Sequence, residues 1–572
     1  MTSFQESSRE AARLFLQTVV IVDNQAGYFS PPEPVPDEDE LIAPDDLDTT
    51  GEDTEAAATS TASDAPLNAM AVSEAFASQG LVCAILKPTP QNGLTDAAVR
   101  ASERADVLVL DWEMEDSGQL ATSIASSLLV KDELAGGRLR LISIYTGRSP
   151  LADVRNSFQQ HYKALQAKYG ESDQPQGPKL KIPKDQLIIE AGSARVIFLS
   201  KNSASSLSNS EKGLAVSEAE LPERLLFEFA GFAGGLLPNA TLASIAEIRT
   251  RTHKMLARFN KSLDGPVLTN RALTEHKEES EEIASNLILA ELEGQVPLNH
   301  IAHRFMGAEG VREYLKHQIS EGTKPAFMKN SEGTSLEPLS LDQVCDIIEK
   351  GLGGFDEAEL ASQAASVGLD AKVYRGELAK SFHKRLYAIL GDVKSGRSAH
   401  ERFAIVSTMK RDITGIGPWN DDNRPSLKLG SILSLDGLYW VCLTPLCDCV
   451  RLTSGKAALL FTQLHKDSST FELVVPKDTT GATVAKLRTK PKEMQLITMN
   501  FANVEKGIVR AKVKGEHATF AAWPLNATVG DAKDYFWVGE LKPMQAQRLI
   551  QNFASNMARV GLDENEWHRL QS

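Results

Sequence analysis

Short apolar runs alternate with amphipathic segments through the first 200 residues of the chain. The clearest runs are TVVIV at 18–22, VLVL at 107–110 and LISIY at 141–145, and stretches with helical spacing separate them. Runs this apolar are typical of strands that are buried on both faces, as in a parallel sheet covered by helices. The pattern therefore predicts a doubly wound α/β domain in this part of the chain.

The length of 572 residues exceeds what one hydrophobic core supports, and we predict three domains. The α/β domain covers 1–232. Apolar residues on one helical stripe, such as Leu242, Ile245 and Leu256, predict a helical domain over 233–415. Strand-like runs such as GLYWVCLTP and DYFWVGEL predict an antiparallel β-rich domain over 425–572, closed by a C-terminal helix.

The α/β pattern is interrupted by an acidic segment at about 29–66. Residues 31–66 contain twelve Asp or Glu and no Lys or Arg, so the rest of the chain carries only −3 of the net charge of −15. Its mixture of Pro, Ser, Thr and acids offers little to bury, which predicts a disordered insertion. An acidic docking segment is the alternative interpretation.

Composition also limits the location of the protein. No apolar run reaches the roughly 18 residues that a membrane helix needs, and no basic segment followed by an apolar one opens the chain. Five cysteines without a repeating spacing do not describe a disulfide framework. We therefore expect a cytoplasmic protein with free thiols and no membrane partner.

Polar residues follow four of the predicted strands at their carboxyl ends. Asp23 and Asn24 end the first strand, Asp111 ends the third, and Thr146 and Lys201 end the last two. In an open parallel sheet these ends meet at one rim, where such folds bind their ligands. Each residue alone is explained by helix capping or solvation, but the four positions together favour a chemical site.

The order of these residues resembles the receiver domains of two-component response regulators, over roughly the first 230 residues. The run DWEM, with a Met three residues after Asp111, adds to the resemblance. The resemblance implies a flavodoxin-like sheet in the order 2-1-3-4-5, with Asp111 as acceptor of a phosphoryl group from a histidine kinase. Thr146 and Lys201 would be the switch residues. The implied Mg²⁺ ligands are Asp23, Asn24, Asp111 and the backbone carbonyl of Glu113.

Two departures from the family pattern bear on activity. Asn24 replaces the second acidic residue after the first strand, which removes one charge from the implied metal site. Lys201 lacks the proline that usually follows it and lies far from Thr146 in sequence. A pseudo-receiver, which is a scaffold that works without phosphorylation, is therefore a second hypothesis.

Three further motifs lie outside the rim. His300 and His303 are three residues apart on a probable helix, which a polar helix face explains better than a metal pair. Cys442, Cys447 and Cys449 lack the CxxC spacing of zinc sites, and we expect buried or half-buried thiols on a strand. The segment TPxCD resembles an element of C-terminal β domains in bacterial conflict-system proteins.

The run KLRTKPK places Lys486, Arg488, Lys490 and Lys492 at alternating positions, on one face of a strand. A charged edge strand is the simpler interpretation, and a nucleic-acid-binding adaptor is the alternative. No phosphate-binding loop or catalytic triad motif is present, so we expect no output enzyme. The sequence predicts a response regulator that transmits its signal to an effector or buffers it, and the chain resembles receiver proteins of anti-phage defence operons.

Overall fold

The structure is a computed structural model, and it describes seventeen segments of the chain. Most of the predicted acidic insertion, 29–66, lies outside them. The described residues are 3–27, 66–88, 94–114, 116–172, 174–183, 186–201, 207–274, 277–295, 298–319, 340–351, 357–366, 368–378, 393–414, 424–452, 457–493, 495–514 and 517–557.

The chain divides into two compact units, one formed by 1–249 with 297–314 and the other by 250–296 with 315–572. The predicted helical region is thus shared between the units. The three-domain division remains a prediction.

The first unit contains a seven-stranded sheet in the order β2-β1-β3-β4-β7-β6-β5. Strands β2, β1, β3, β4 and β7 pair with one another in parallel in that order, which confirms the predicted flavodoxin-like order 2-1-3-4-5 for these five strands. The strands are β1 (Thr18–Val22), β2 (Val82–Leu86), β3 (Val107–Leu110), β4 (Arg140–Thr146), β5 (Leu180–Lys181), β6 (Ile188–Ala191) and β7 (Ala194–Ser200).

Helices surround this sheet because its central strands are apolar on both faces. Every residue of β3 and β4 is buried, and aliphatic side chains from the helices complete the core. Ser3 and Glu6 form a reciprocal capping box that fixes the start of the first helix. The helices of this region are α1 (Phe4–Phe15), α2 (Ala69–Ser78), α3 (Leu94–Ser102), α4 (Gln119–Leu134), α5 (Leu151–Glu171), α6 (Leu221–Ala233) and α7 (Leu236–Arg258).

A small antiparallel extension lies between β4 and β7 in the sequence, although the two strands are neighbours in the sheet. Strand β6 forms a hairpin with β7, and β5 pairs with β6 at the outer edge. The turn at Gly192 has a positive φ of 61°, a conformation that glycine adopts readily. These added strands, together with the long α5, explain why Lys201 lies so far from Thr146 in sequence.

The two ends of the acidic segment are held side by side. Gly27 and Asn68 form a parallel bridge, in which the Gly27 N–H donates to the Leu67 carbonyl and the Ala69 N–H donates to the Gly27 carbonyl. The Asn68 side chain caps α2 by accepting from the backbone N–H groups of Met70 and Ala71. We call this contact the insertion clamp.

Helices dominate the middle of the chain. They are α8 (Asp264–Leu273), α9 (Lys277–Gln295), α10 (Leu298–Met306), α11 (Ala308–Gln318), α12 (Leu341–Lys350), α13 (Glu357–Ser366), α14 (371–378) and α15 (Val393–Thr408). Another helix, α16 (Pro543–Met557), confirms the predicted C-terminal helix. No helix in the described ranges is long and apolar enough to cross a membrane.

The C-terminal part is an antiparallel β structure, as predicted. Strands β9, β19, β18, β14, β11 and β10 pair in turn, and β10 pairs again with β9, so the six strands form a closed ring. Alternate side chains contribute to two separate cores. The strands of this region are β8 (Met409–Asp412), β9 (Ser431–Leu435), β10 (Leu438–Cys442), β11 (Ala457–Lys466), β12 (Leu473–Pro476), β13 (Val484–Arg488), β14 (Leu496–Phe501), β15 (Val504–Glu505), β16 (Ile508–Val509), β17 (Lys512–Lys514), β18 (His517–Pro524) and β19 (Lys533–Leu541).

Candidate functional site

The strand register places the predicted site residues at one rim of the parallel sheet. Val22 of β1 pairs with Leu110 of β3, so Asp23 and Asp111 leave the sheet at the same level. The Asp111 N–H donates to the Val22 carbonyl at 3.0 Å. Adjacent strands deliver these two carboxylates because both strands end at the same pairing position.

Lys201 joins the two carboxylates. Its Nζ lies 2.7 Å from Asp23 Oδ2 and 3.3 Å from Asp111 Oδ1, and all three side chains are largely buried. The Lys201 N–H donates to the Thr146 carbonyl at 2.9 Å, which extends the pairing of β7 with β4 to the rim. The structure therefore brings together three of the residues that the sequence singled out.

Burial dominates the electrostatics of this cluster. Loss of hydration raises the pKa of Asp111 to about 6, against the lowering effect of Lys201, and the nearby Asp23 carboxylate adds to the rise. Burial alone lowers the pKa of Lys201, but the carboxylates of Asp111 and Asp23 outweigh it and raise that pKa overall. The lysine is therefore a fixed positive charge within the rim.

Thr146 lies at the rim but has a different partner. Its side chain is fully buried, and its Oγ1 accepts a hydrogen bond from the Arg148 N–H at 3.1 Å. In the described part of the chain no hydrogen bond joins the Thr146 hydroxyl to Asp111. A switch role for Thr146, in which its hydroxyl donates to a phosphoryl oxygen, stays a prediction.

Asn24 and the loop after β3 form the other side of the rim. Asn24 Nδ2 donates to the Met114 carbonyl at 2.8 Å, and Glu113 donates its N–H to the Asp111 carboxylate. Trp112 and Met114 are both buried in the core, which anchors the loop on either side of Glu113. The apolar residues of the DWEM run thus hold the loop after β3 in place.

The donor atoms at the rim suit a hard cation. The two carboxylates and one ammonium leave one negative charge in excess, and Asn24 Oδ1 is a buried oxygen without a hydrogen-bond partner. Carboxylate, amide and backbone oxygens are the ligands that Mg²⁺ prefers. No group of three or more His, Cys, Asp or Glu side chains arranged for a metal occurs among the described residues, so amide, backbone or water oxygens would complete such a site. The predicted ligand role of the Glu113 carbonyl remains a prediction.

Two neighbours of Lys201 were not predicted from the sequence. Its Nζ lies 5.6 Å from the centre of the Tyr145 ring, and the Tyr145 hydroxyl donates to the Val216 carbonyl at 2.8 Å. Glu218 accepts from the Asn68 N–H at 2.8 Å, and burial raises its pKa while Lys201 lowers it. The position of Tyr145 directly before Thr146 was a usable signal, whereas nothing in the sequence around Glu218 pointed to the rim.

The other sequence candidates do not form comparable sites. His300 and His303 are exposed on α10, as a polar helix face predicts. The assumed strand through the cysteines was wrong, because β10 ends at Cys442 and 446–448 form a 3₁₀ turn. Cys442 and Cys449 are buried as expected, but Cys447 is exposed.

The predicted basic face is shorter than the sequence indicated. Strand β13 ends at Arg488, and 491–493 form a 3₁₀ turn, so the four cations do not share one strand. Lys486, Arg488 and Lys490 form ion pairs with Glu401, Asp467 and Glu493, respectively. Because these carboxylates neutralise the strand, its geometry does not favour nucleic-acid binding.

Comparison with known proteins agrees with the rim geometry. Residues 15–206 match the family model described as Response receiver domain. Comparisons with curated proteins and with solved structures gave no significant match. The matched segment runs from the end of α1 past Lys201 and includes every residue of the cluster. Residues 15–206 of this chain therefore form a response receiver domain.

Proposed function

We propose that the chain is a response regulator in which Asp111 accepts a phosphoryl group from a histidine kinase. The observation that supports this most directly is the Lys201 ammonium, 2.7 Å from the Asp23 carboxylate and 3.3 Å from that of Asp111. A carboxylate attacks a phosphoryl group only when nearby positive charge offsets their repulsion. Lys201 supplies one such charge beside the nucleophile.

In the proposed reaction an Asp111 carboxylate oxygen attacks the phosphorus of a phosphohistidine. A C–O–P linkage forms, the P–N bond breaks, and the departing imidazole keeps the electron pair and takes a proton. Mg²⁺ held by Asp23, Asn24, Asp111 and the Glu113 carbonyl would neutralise phosphoryl oxygens. Lys201 would pair with the new phosphoryl group, and the Thr146 hydroxyl, which accepts from the Arg148 N–H, would donate a hydrogen bond to it.

The downstream part of the proposal concerns output. Phosphorylation replaces a carboxylate beside Lys201 with a dianionic group. This changes the ion-pair and hydrogen-bond partners available to Lys201 and Thr146. The helical and β-rich regions then transmit or store the signal for an effector protein. The resemblance of the sequence to receiver proteins of anti-phage defence operons supports a role in such defence.

The test is chemical modification of the purified full chain. Incubation with acetyl phosphate and Mg²⁺ is expected to add the mass of one phosphoryl group, lost on treatment with hydroxylamine because an acyl phosphate is labile. Intact mass spectrometry measures this directly. Removal of divalent metal with EDTA should abolish the labelling.

Asp111→Ala should prevent labelling, whereas Asp153→Ala, which removes an exposed carboxylate of the same domain, should not. Labelling that persists in Asp111→Ala would contradict the proposed acceptor. If the parent chain folds and binds Mg²⁺ but never gains mass from acetyl phosphate or a kinase, the rim is a pseudo-receiver scaffold instead.

A further inference from the structure

An apolar surface is exposed on the helices that follow residue 250. It is formed by the end of α7, the turn at 261–263, and the antiparallel pair α8 and α9, and we call it the hairpin surface. Leu268 is 64% exposed, Leu273 83% and Leu287 53%. The large apolar side chains exposed here are Leu256, Phe259, Leu263, Val267, Leu268, Leu273, Ile283, Leu287, Ile288 and Leu289.

The hairpin surface has too little internal packing to stand alone. Helix α8 has no buried residue, and the adjacent Leu287, Ile288 and Leu289 point to different sides of α9 because successive residues turn by about 100°. One neighbouring helix covers only one of these sides. A helix that is apolar on several sides is normally buried by more than one partner.

The charges on the two arms of the hairpin have opposite signs. Residues 250–274 contain five Lys or Arg and one Asp, a net charge of +4, whereas 277–295 contain six Glu and one Lys, a net charge of −5. Ion pairs Arg258 to Glu291 and Arg271 to Glu281 fix the arms side by side. One arm therefore has a positive and the other a negative net charge, and both have exposed apolar side chains.

A second copy of this chain matches that distribution. A two-fold axis parallel to the helices places the positive arm of one copy over the negative arm of the other, and apolar side chains meet between them. A partner of uniform charge would be repelled by one arm. We propose that the hairpin surface is the interface of a homodimer with this symmetry.

The experiment measures the mass of the full chain by light scattering after size exclusion, and the dimer dissociation constant by analytical ultracentrifugation. The parent chain is expected to be dimeric at micromolar concentration. Leu268→Glu combined with Leu287→Glu should raise the dissociation constant by on the order of 100-fold, because each copy then places charges in the apolar centre. Leu525→Glu, at another exposed apolar position, should leave it unchanged.

A charge exchange tests the symmetry itself. Because Arg258 pairs with Glu291, Lys254 and Glu293 lie at the same end of the hairpin. Lys254→Glu should weaken the dimer by roughly tenfold, and Lys254→Glu with Glu293→Lys should restore it. A parent chain that stays monomeric at about 100 μM, far above the micromolar range expected for a specific dimer, would overturn the proposal. A dimer that is indifferent to the Leu268 and Leu287 changes, with circular dichroism showing intact folding, would also overturn it.

Discussion

Gly118 lies shortly after the loop that follows β3, against the indole ring of Trp112. Its φ is +79°, and a Cβ at this position would overlap the ring atoms of the buried Trp112. Gly80 has nearly the same φ, +73°, but a Cβ there would meet nothing within 4 Å. A comparison of alanine substitutions at the two glycines therefore distinguishes the free-energy cost of a left-handed conformation from that of overpacking.

Gly118→Ala should destabilise the receiver domain more than Gly80→Ala. The shared conformational penalty is about 1 kcal/mol, and the overlap with Trp112 adds about 1 to 3 kcal/mol. Urea unfolding followed by tryptophan fluorescence measures both changes. Equal losses in the two variants would show that Trp112 moves aside without cost.

Individual rim residues were predictable to different degrees. Asp23, Asp111 and Lys201 end strands whose apolar runs are plain in the sequence, and parallel pairing alone brings such ends together. Thr146 was placed at the rim, but its bond to Arg148 depends on local turn geometry that residue spacing does not specify. Glu218 reaches the rim region through tertiary packing, for which its own segment gives no periodic signal.

Strand β19 shows how an element carries a buried charge. Glu540 is 5% exposed, and its carboxylate lies 3.0 Å from Lys428 Nζ and 3.2 Å from Arg411 Nε, with Lys410 at 3.9 Å. The register between β19 and β8 shifts at this residue. The carboxylate thus links β19 to β8 and to the segment before β9.

Glu540→Gln should destabilise the β-rich region by about 2 kcal/mol, because several cations would then face one neutral amide in a partly buried site. The matched change Glu493→Gln removes the exposed partner of Lys490 and should cost no more than about 0.5 kcal/mol. Thermal unfolding monitored by circular dichroism compares the two. Equal, small shifts would mean that solvent screens the Glu540 cluster.

At the scale of secondary-structure elements, the sequence predicted whether a segment forms a helix or a strand. It predicted less well where each element ends and which strands pair. Alternating apolar patterns predicted the antiparallel β region, but the closing pair of β10 with β11 joins residues that no local pattern relates. The alternating cations predicted a strand that continues through Lys492. Pro491 explains the error, since a proline has no N–H for a ladder and favours a turn after Lys490.

Across the whole molecule, charge is concentrated rather than spread. Twelve acidic residues lie between 31 and 66, while the insertion clamp joins Gly27 to Asn68 at the base of that segment. The receiver domain therefore accommodates a long charged insertion through two backbone hydrogen bonds at its base. The residues that form the described core of the sheet lie before and after this segment.

Replacement of 29–65 by about five Gly and Ser residues should leave the receiver folded. A shorter loop loses less entropy when its ends are brought together on folding, so the change should stabilise the domain by about 1 kcal/mol. Labelling of Asp111 by acetyl phosphate should continue, as measured by intact mass. Loss of the folded domain in this variant would show that the insertion contributes to the core.

The insertion clamp also makes this position suitable for accommodating other inserted segments. The segment that the clamp holds can be lengthened, shortened or exchanged in evolution. The hydrogen bonds that join the strand ends at the rim do not involve that segment. A fluorescent reporter inserted between Tyr28 and Pro66 would be held near the rim and would leave the contacts between Asp23, Asp111 and Lys201 unchanged.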